Sequence, residues 1–307
     1  MTEAPEITAK SWLMIVILGI TWGGTFLVTK MALDGISPFW LAASRICLGA
    51  VVTIGIWRGM GGRLFYEPAS GAQWLNLAVI AALSAAVPFG LLAWGQQFVS
   101  SGFAGVSMAS VALIVLPLAH FLVPGERITL RRAVGFMIGF AGVVILIGGQ
   151  AFESSGSALE FPGRLACLGA AACYAVSSVL MRRLPPVDPV GLSTMLLLFG
   201  VVYIVPLAWI TEGPPPALDM RTLGLVALLG LVPTAAANLL RVMVVRTAGP
   251  VFLSLVNYQV PVWSVVMGAI FLGEALTMSL LWAMLLILAG VGLSQYGALK
   301  RLFLRAA

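Results

Sequence analysis

The segments Ser84-Ala-Ala-Val-Pro88 and Gly230-Leu-Val-Pro233 decide the fold of this chain, because each interrupts a long apolar run with proline at a corresponding place. Each is followed by a Gly-Glu pair, Gly125-Glu126 in one case and Gly273-Glu274 in the other, and then by a further apolar run. A duplicated unit of this length predicts two related halves. Many secondary transporters are built in this way, with the solute site between the halves, so the repeat alone indicates transport.

Composition predicts the environment of the chain. Charged residues make up only 9% of the 307 residues, whereas hydrophobic residues make up 61%. So few charges cannot cover the surface of a soluble protein, and we predict an all-α integral membrane protein. At about 20 apolar residues per crossing, the sequence predicts ten transmembrane helices. Their approximate spans are 12–31, 38–57, 73–97, 103–123, 132–149, 163–181, 189–210, 221–244, 250–271 and 279–298.

The number of crossings predicts how the two halves are related. We assign five helices to residues 1–149 and five to residues 150–307. Because five is odd, the second half enters the membrane from the opposite side, and the two halves form inverted five-helix repeats.

The basic residues predict the orientation. With the N-terminus in the cytoplasm, most Lys and Arg residues lie at the inner side, and only Lys30, Arg164 and Arg221 fall outside. This asymmetry predicts a multi-pass protein of the cell inner (plasma) membrane with both termini cytoplasmic. It also accounts for the net charge of +6 without a nucleic-acid partner. The partners expected are the lipid bilayer and a small-molecule substrate, and the oligomeric state stays open.

The titratable residues argue against catalysis and ATP drive. All eleven Asp and Glu residues fall in predicted tails, loops or helix ends. Proton-coupled pumps and exporters of cations usually carry a carboxylate at membrane depth, so its absence favours an uncharged or zwitterionic solute. The sequence has no Walker-type Gly-x4-Gly-Lys-Ser/Thr motif, and its three Cys lack metal-ligand spacing. We therefore predict no catalytic residue, no cofactor and no metal.

Polar and aromatic residues at predicted membrane depth are the candidates for substrate binding. Flat rings with a few amide and hydroxyl groups suit an amphipathic solute; interface belts and helix packing are the structural alternative. The candidates are Trp22, Thr25, Trp94, Gln97, Tyr174, Ser178, Asn238, Asn257, Tyr258 and Gln259. We expect the first, third, fourth, sixth, eighth and ninth helices to enclose them. Pro88 and Pro233, at equivalent places in the third and eighth helices, are predicted hinges.

Three charged residues have two interpretations each. Arg45, about 10 Å below the membrane surface, either binds a substrate carboxylate or ties helices together. Glu126 and Glu274 are either gate or proton sites, or carboxylates favoured by the N-terminal dipoles of the fifth and tenth helices.

The motifs resemble the drug/metabolite transporter superfamily, and specifically its ten-helix EamA-type exporters. The matching residues are Thr21-Trp22-Gly23-Gly24-Thr25-Phe26, Pro38 with Ala43-Ser44-Arg45, Pro88, Pro117 with Gly125-Glu126-Arg127, and Pro261 with Gly273-Glu274. In the second half the Trp-Gly motif is replaced by Ala172-Cys-Tyr174-Ala-Val-Ser177-Ser178. The chain looks most like the aromatic amino acid exporter branch. This resemblance implies export of amino acids or similar small metabolites by alternating access.

Two alternatives remain at this point. A nucleotide-sugar or phosphorylated-metabolite exchanger has a related fold but requires several cations facing the cavity, for which Arg45, Arg241 and Arg246 are the available residues. A membrane enzyme or non-transporting sensor is the second alternative, and the sequence offers it neither a catalytic cluster nor a soluble domain.

Overall fold

The computed structural model describes residues 7–122, 128–148 and 157–304. Within these ranges the chain forms ten helices, nine of them long and apolar enough to cross a membrane and one shorter. The helices are α1 Ala9–Ala32, α2 Pro38–Gly59, α3 comprising Gly71–Ala81, Ala82–Ala86 and Val87–Gly95, α4 Ser101–Leu122, α5 Leu130–Gly148, α6 Glu160–Met181, α7 Pro189–Glu212, α8 comprising Met220–Leu229, Gly230–Ala236 and Ala237–Ala248, α9 Val256–Leu272 and α10 Met278–Leu304. The ten-helix, all-α prediction is confirmed.

The ninth helix differs from its prediction. A single turn, Pro250–Leu253, precedes α9, which then runs for only 17 residues. At 1.5 Å per residue, α9 is about 26 Å long, shorter than a straight crossing of about 30 Å. The predicted span 250–271 is therefore divided into a single turn and a shorter helix.

Local sequence sets the helix ends. Ser70 and Gln73 form a capping box at the start of α3, and the Asp188 carboxylate accepts from the backbone N–H of Gly191 at the start of α7. Such side chains satisfy the free N–H groups of a first turn. At the other ends, Gly213 and Gly273 follow α7 and α9 with φ of +79° and +64°, which glycine adopts without strain.

Consecutive helices run in opposite directions, which defines two ends of the bundle. At the end where α1 begins, called the near end, the backbone N–H of Asp188 donates to the carbonyl of Leu64 at 2.9 Å and joins the α6–α7 and α2–α3 links. At the opposite, far end, the Ser37 hydroxyl donates to Glu212 Oε2 at 2.6 Å and joins the α1–α2 and α7–α8 links. α10 ends at the near end.

The helix pairings repeat between the halves. α1 packs on α9 as α6 packs on α4, and α3 packs on α6 as α8 packs on α1. If each helix is exchanged with its counterpart in the other half, the pairs α2–α7, α4–α9 and α5–α10 are unchanged. Two repeats related by an approximate twofold axis give this arrangement.

Glycine allows α5 and α10 to meet backbone to backbone. A Cβ added to Gly290 would lie 2.4 Å from the carbonyl oxygen of Gly135 and 2.4 Å from the nitrogen of Gly139. Small residues permit such close approach, which supplies the packing energy between helices in lipid.

Candidate functional site

The interruption of α8 is the local feature that organises the centre of the bundle. Residues 230–236 form a π-helical turn around Pro233, which has no N–H to donate. Three side chains donate to backbone carbonyls in and beside this turn: the Thr234 hydroxyl to Leu229 at 2.7 Å, Trp22 Nε1 to Pro233 at 3.2 Å, and Asn238 Nδ2 to Thr234 at 2.6 Å. These bonds hold the side chains of Trp22, Thr234 and Asn238 against the turn.

α3 is interrupted at the corresponding place. Residues 82–86 form a π-helical turn, and Pro88 follows it as the second residue of the next helical segment. The predicted interruptions are therefore present in both halves as π turns. Hinge motion at Pro88 and Pro233 stays a prediction.

A central cavity of about 530 Å³ lies between these two interruptions. Its walls come from eight of the ten helices, and α2 and α7 join the six that the sequence predicted. The aromatic part of the wall consists of Trp22, Phe26, Phe89 and Tyr174. The polar part consists of Thr25, Arg45, Ser84, Ser177, Ser178, Ser193, Thr234, Asn238, Arg241, Ser254 and Asn257. Among these described lining residues none is acidic, so the cavity is cationic and polar on an apolar frame.

Six of the predicted binding residues line this cavity. They are Trp22, Thr25, Tyr174, Ser178, Asn238 and Asn257. The Asn257 side chain is exposed and has no hydrogen-bond partner within the described ranges, so both its donor and its acceptor are available to a solute. Asn238 donates to the helix backbone, which leaves its amide oxygen as an acceptor.

The other four predicted residues lie outside the cavity wall. Tyr258 and Gln259 follow Asn257 by one and two residues, and each step rotates a helical side chain by about 100°. Gln259 accordingly packs against Gly19 of α1. Trp94 packs edge-on against Phe98, with ring centroids 5.2 Å apart.

Gln97 lies beyond the end of α3, where its Nε2 donates to the carbonyl of Trp94 at 3.2 Å. There it lines a separate far-end cleft of about 330 Å³. Binding of substrate by these four residues stays a prediction that the cavity does not support.

Arg45 is the residue that α2 contributes to the described cavity wall, and 9% of its surface is exposed. Its Nε and Nη2 both donate to the Thr234 hydroxyl, at 3.4 and 3.2 Å. Its Cζ lies 4.2 Å from the centroid of the Phe89 ring. The signal for this residue was present in the sequence as an arginine within an apolar span. The contribution of α7 carried no signal, because Ser193, Leu196 and Leu197 are ordinary residues of an apolar helix.

The far end of the bundle is closed above the cavity by polar contacts. Gln96 Nε2 donates to the carbonyl of Phe26 at 2.9 Å, which joins α3 to α1. Lys30 Nζ donates to the carbonyls of Gln96 and Val99, at 2.6 and 3.0 Å, and so covers the C-terminal end of α3.

Glu274 extends this closure to α4 and α9. Its carboxylate accepts from the backbone N–H and hydroxyl of Ser101, at 2.6 and 2.9 Å, and from the N–H of Gly102 at 3.1 Å. The favourable helix terminus is therefore that of α4, and not that of α10 as the sequence suggested. The first turn of α10 is capped instead by the Thr277 hydroxyl, which accepts from the N–H of Leu280. Glu126 lies outside the described residues.

The cavity wall reaches the near end. Met181 is the last residue of α6, and Leu253 ends the turn before α9; both line the cavity. On the far side the wall stops at Phe26 and Leu92, both buried, below the polar closure. The conformation therefore extends its cavity toward the near end only.

Comparison with known proteins agrees with this architecture. The pattern of the EamA-like transporter family matches residues 9–148 and again residues 161–295. The "Uncharacterized transporter YoaV" of Bacillus subtilis is 23% identical over 295 residues, which cover 95% of this chain and 99% of that protein. The "Uncharacterized inner membrane transporter YedA" of Escherichia coli is 26% identical over 268 residues, covering 85% and 82%. A solved crystal structure superposes with a TM-score of 0.63 at 21% identity, over 96% of this chain and 99% of that chain, and supports the fold.

Proposed function

Since this chain belongs to the EamA-like transporter family, we propose that it exports amino acids and similar small metabolites, aromatic ones among them, through the central cavity by alternating access. The relatives are named transporters, and the proposal includes no catalytic step. The observation that supports this proposal is the composition of the cavity wall. The wall combines aromatic rings, amide groups with atoms available for hydrogen bonds, and cationic side chains, and its described residues include no acid.

The cavity matches the two parts of a zwitterionic amphipathic solute. Asn257 and the Asn238 oxygen offer hydrogen bonds to an amino or carboxyl group. Trp22 and Phe26 of α1 offer apolar surface, and the indole N–H of Trp22 is already bonded to Pro233, so its ring presents a face rather than a donor. A solute that combines a ring with polar termini satisfies both regions.

We also propose that the near end faces the cytoplasm. The distribution of Lys and Arg supports this orientation. The relative YedA is named an inner membrane transporter. A cavity that extends toward the near end is then loaded from the cytoplasm, as export requires. Transport follows when the far-end closure of Lys30, Gln96 and Glu274 opens and the near end closes.

Reconstituted vesicles test the proposal. We expect vesicles that contain only this protein to take up labelled phenylalanine faster than empty vesicles, with or without an imposed proton gradient. Asn257→Ala removes a hydrogen bond to a charged group of the solute, so we expect KM to rise about tenfold to a hundredfold. The matched control is Gln97→Ala, which removes an amide outside the cavity. Unchanged KM in Asn257→Ala, or no uptake of any amino acid, would contradict the proposal.

One observation favours a second candidate function. Arg45 and Arg241 line the same cavity, as an exchanger of phosphorylated metabolites requires. Vesicles preloaded with a sugar phosphate distinguish the two candidates: strong stimulation of sugar-phosphate uptake by internal sugar phosphate, without amino acid uptake, supports the exchanger.

A further inference from the structure

Arg45 is a buried cation that has no carboxylate partner within the described part of the chain. A guanidinium has five N–H donors, and the described contacts of Arg45 engage two of its nitrogens with one hydroxyl oxygen, at 3.2 and 3.4 Å. The Phe89 ring covers one face of the guanidinium. Among the described residues no acid pairs with Arg45, and its surface is only 9% exposed.

Arg164 shows how this chain holds an arginine that joins helices. Arg164 is also buried, at 3% exposure. Its guanidinium forms a salt bridge with Glu160, and its Nη1 donates to the carbonyl of Ile147 at 2.7 Å. The charge is thus compensated within the protein. The residues that the structure describes give Arg45 no such compensation, so a purely structural tie does not account for it.

The surrounding backbone holds Arg45 in its position. The Thr234 hydroxyl donates to the carbonyl of Leu229, so its lone pairs are directed to Arg45. Gly49 of α2 leaves room for the Thr234 methyl group, because a Cβ at Gly49 would lie 2.7 Å from Thr234 Cγ2. Gly230 likewise allows α8 to approach the backbone of Arg45, whose carbonyl would lie 3.2 Å from an added Cβ. The π turn and the two glycines therefore fix the guanidinium at the cavity wall.

A cation buried without a partner is expensive, and a charged residue retained at membrane depth is typically functional. An anionic oxygen group supplies what is missing, since arginine binds carboxylates through two parallel charge-assisted hydrogen bonds. We propose that Arg45 is the anchor for a carboxylate of the transported solute, so that substrates carry a free carboxylate and amines lacking one are excluded. This inference rests on the proposed function, because it requires that the transported solute binds in the central cavity.

The contacts of Arg45 favour a carboxylate over a phosphate. Its described partners are the Thr234 hydroxyl and the Phe89 ring, and neither carries a charge. The guanidinium therefore presents a single positive charge, which a singly charged carboxylate compensates and a dianionic phosphate exceeds.

Three matched probes test the anchor on the purified full-length protein. Phenylalanine carries both an amino and a carboxyl group, 3-phenylpropionate lacks the amino group, and 2-phenylethylamine lacks the carboxyl group. We expect the two acids to bind, and the amine to bind at least about thirtyfold more weakly than 3-phenylpropionate. Equal binding of the amine and the acid overturns the proposal, as does the absence of binding by both acids at millimolar concentration. These outcomes require no variant.

Substitution of Arg45 supplies the second test. In Arg45→Met we expect the acid-to-amine affinity ratio to fall at least about tenfold, because the attraction of Arg45 for the acid and its repulsion of the amine are removed while Arg241 remains in the wall. Arg45→Lys keeps the charge but loses the paired geometry, so we expect an intermediate ratio. Gln97→Ala, outside the cavity, is expected to keep the wild-type ratio. A folded Arg45→Met protein that keeps that ratio overturns the proposal.

Two further outcomes separate this inference from the proposed function. Acid-selective binding that depends on Arg45, without any transport in vesicles, supports the anchor and contradicts the proposed function. Phenylalanine transport with the same KM in wild type and Arg45→Met supports the proposed function and contradicts the anchor. Binding of phenyl phosphate more than about tenfold tighter than 3-phenylpropionate overturns the choice of a carboxylate.

Discussion

Replacement of Gly290 by alanine should push α5 and α10 apart. The added Cβ would lie 2.4 Å from the carbonyl oxygen of Gly135, 2.4 Å from the nitrogen of Gly139 and 2.7 Å from its Cα. All three are backbone atoms, which cannot rotate away as a flexible side chain does. The helices must therefore separate along their contact, and the close packing between them is lost.

The expected magnitude combines two opposing effects. Overpacking in a well-packed region costs about 1–3 kcal/mol, and rigid backbone contacts point to the upper part of that range. Alanine also favours a helix over glycine by about 1 kcal/mol. The net loss is about 2 kcal/mol, which corresponds to a fall in Tm of about 3 °C for a chain of this size.

Thermal unfolding of the detergent-solubilised protein, followed by tryptophan fluorescence, measures this effect. The matched control is Gly55→Ala in α2, where an added Cβ meets no atom within 4 Å. The control gains helix propensity without a clash, so its Tm should equal or exceed that of the wild type. A Tm for Gly290→Ala as high as that of Gly55→Ala would refute the reasoning.

Three further predictions concern the far end. Glu274→Ala removes three hydrogen bonds from the start of α4 and should lower the free energy of unfolding by about 2 kcal/mol; a Tm within error of the wild type would contradict this. Gln96→Leu removes the side-chain hydrogen bond to the Phe26 carbonyl and should cost about 1 kcal/mol in the same assay, whereas an unchanged Tm would show that this contact contributes nothing. Asp219, outside the helices, has a pKa below its ordinary value of 3.8, chiefly because of hydrogen bonds from Thr222. A group whose pKa is depressed in the folded state stabilises that state above its ordinary pKa, and this stabilisation is lost as the pH falls through the folded-state pKa. The Tm difference between wild type and Asp219→Ala should therefore be present at pH 7 and shrink below about pH 4. A Tm difference that persists unchanged in acid would count against this contribution.

The sequence predicted the helices well because each feature that decides them is local. Apolar runs of membrane length, the caps before α3 and α7, and the glycines after α7 and α9 all act within a few residues. Pro88 and Pro233 likewise predicted interruptions in α3 and α8. The form of those interruptions, a π turn, and the bond from the distant Trp22 Nε1 to Pro233 in α8 have no local sequence pattern that specifies them.

The candidate site was only partly predictable, because it depends on rotation and depth. Asn257, Tyr258 and Gln259 are adjacent in sequence and all carry polar groups, yet only Asn257 faces the cavity. The rotation of α9 about its axis is set by its packing on α1 and α4, which the sequence does not reveal. The apolar pattern of the third span predicts membrane depth for Gln97, whereas α3 ends at Gly95.

The described cavity wall contains no residue of α5 or α10. These two helices pack on each other through Gly135, Gly139 and Gly290 and leave the solute cavity to the other eight. A substitution on a lipid-facing side of α5 or α10 that changes its apolar length therefore alters the fit to the bilayer without altering the cavity wall.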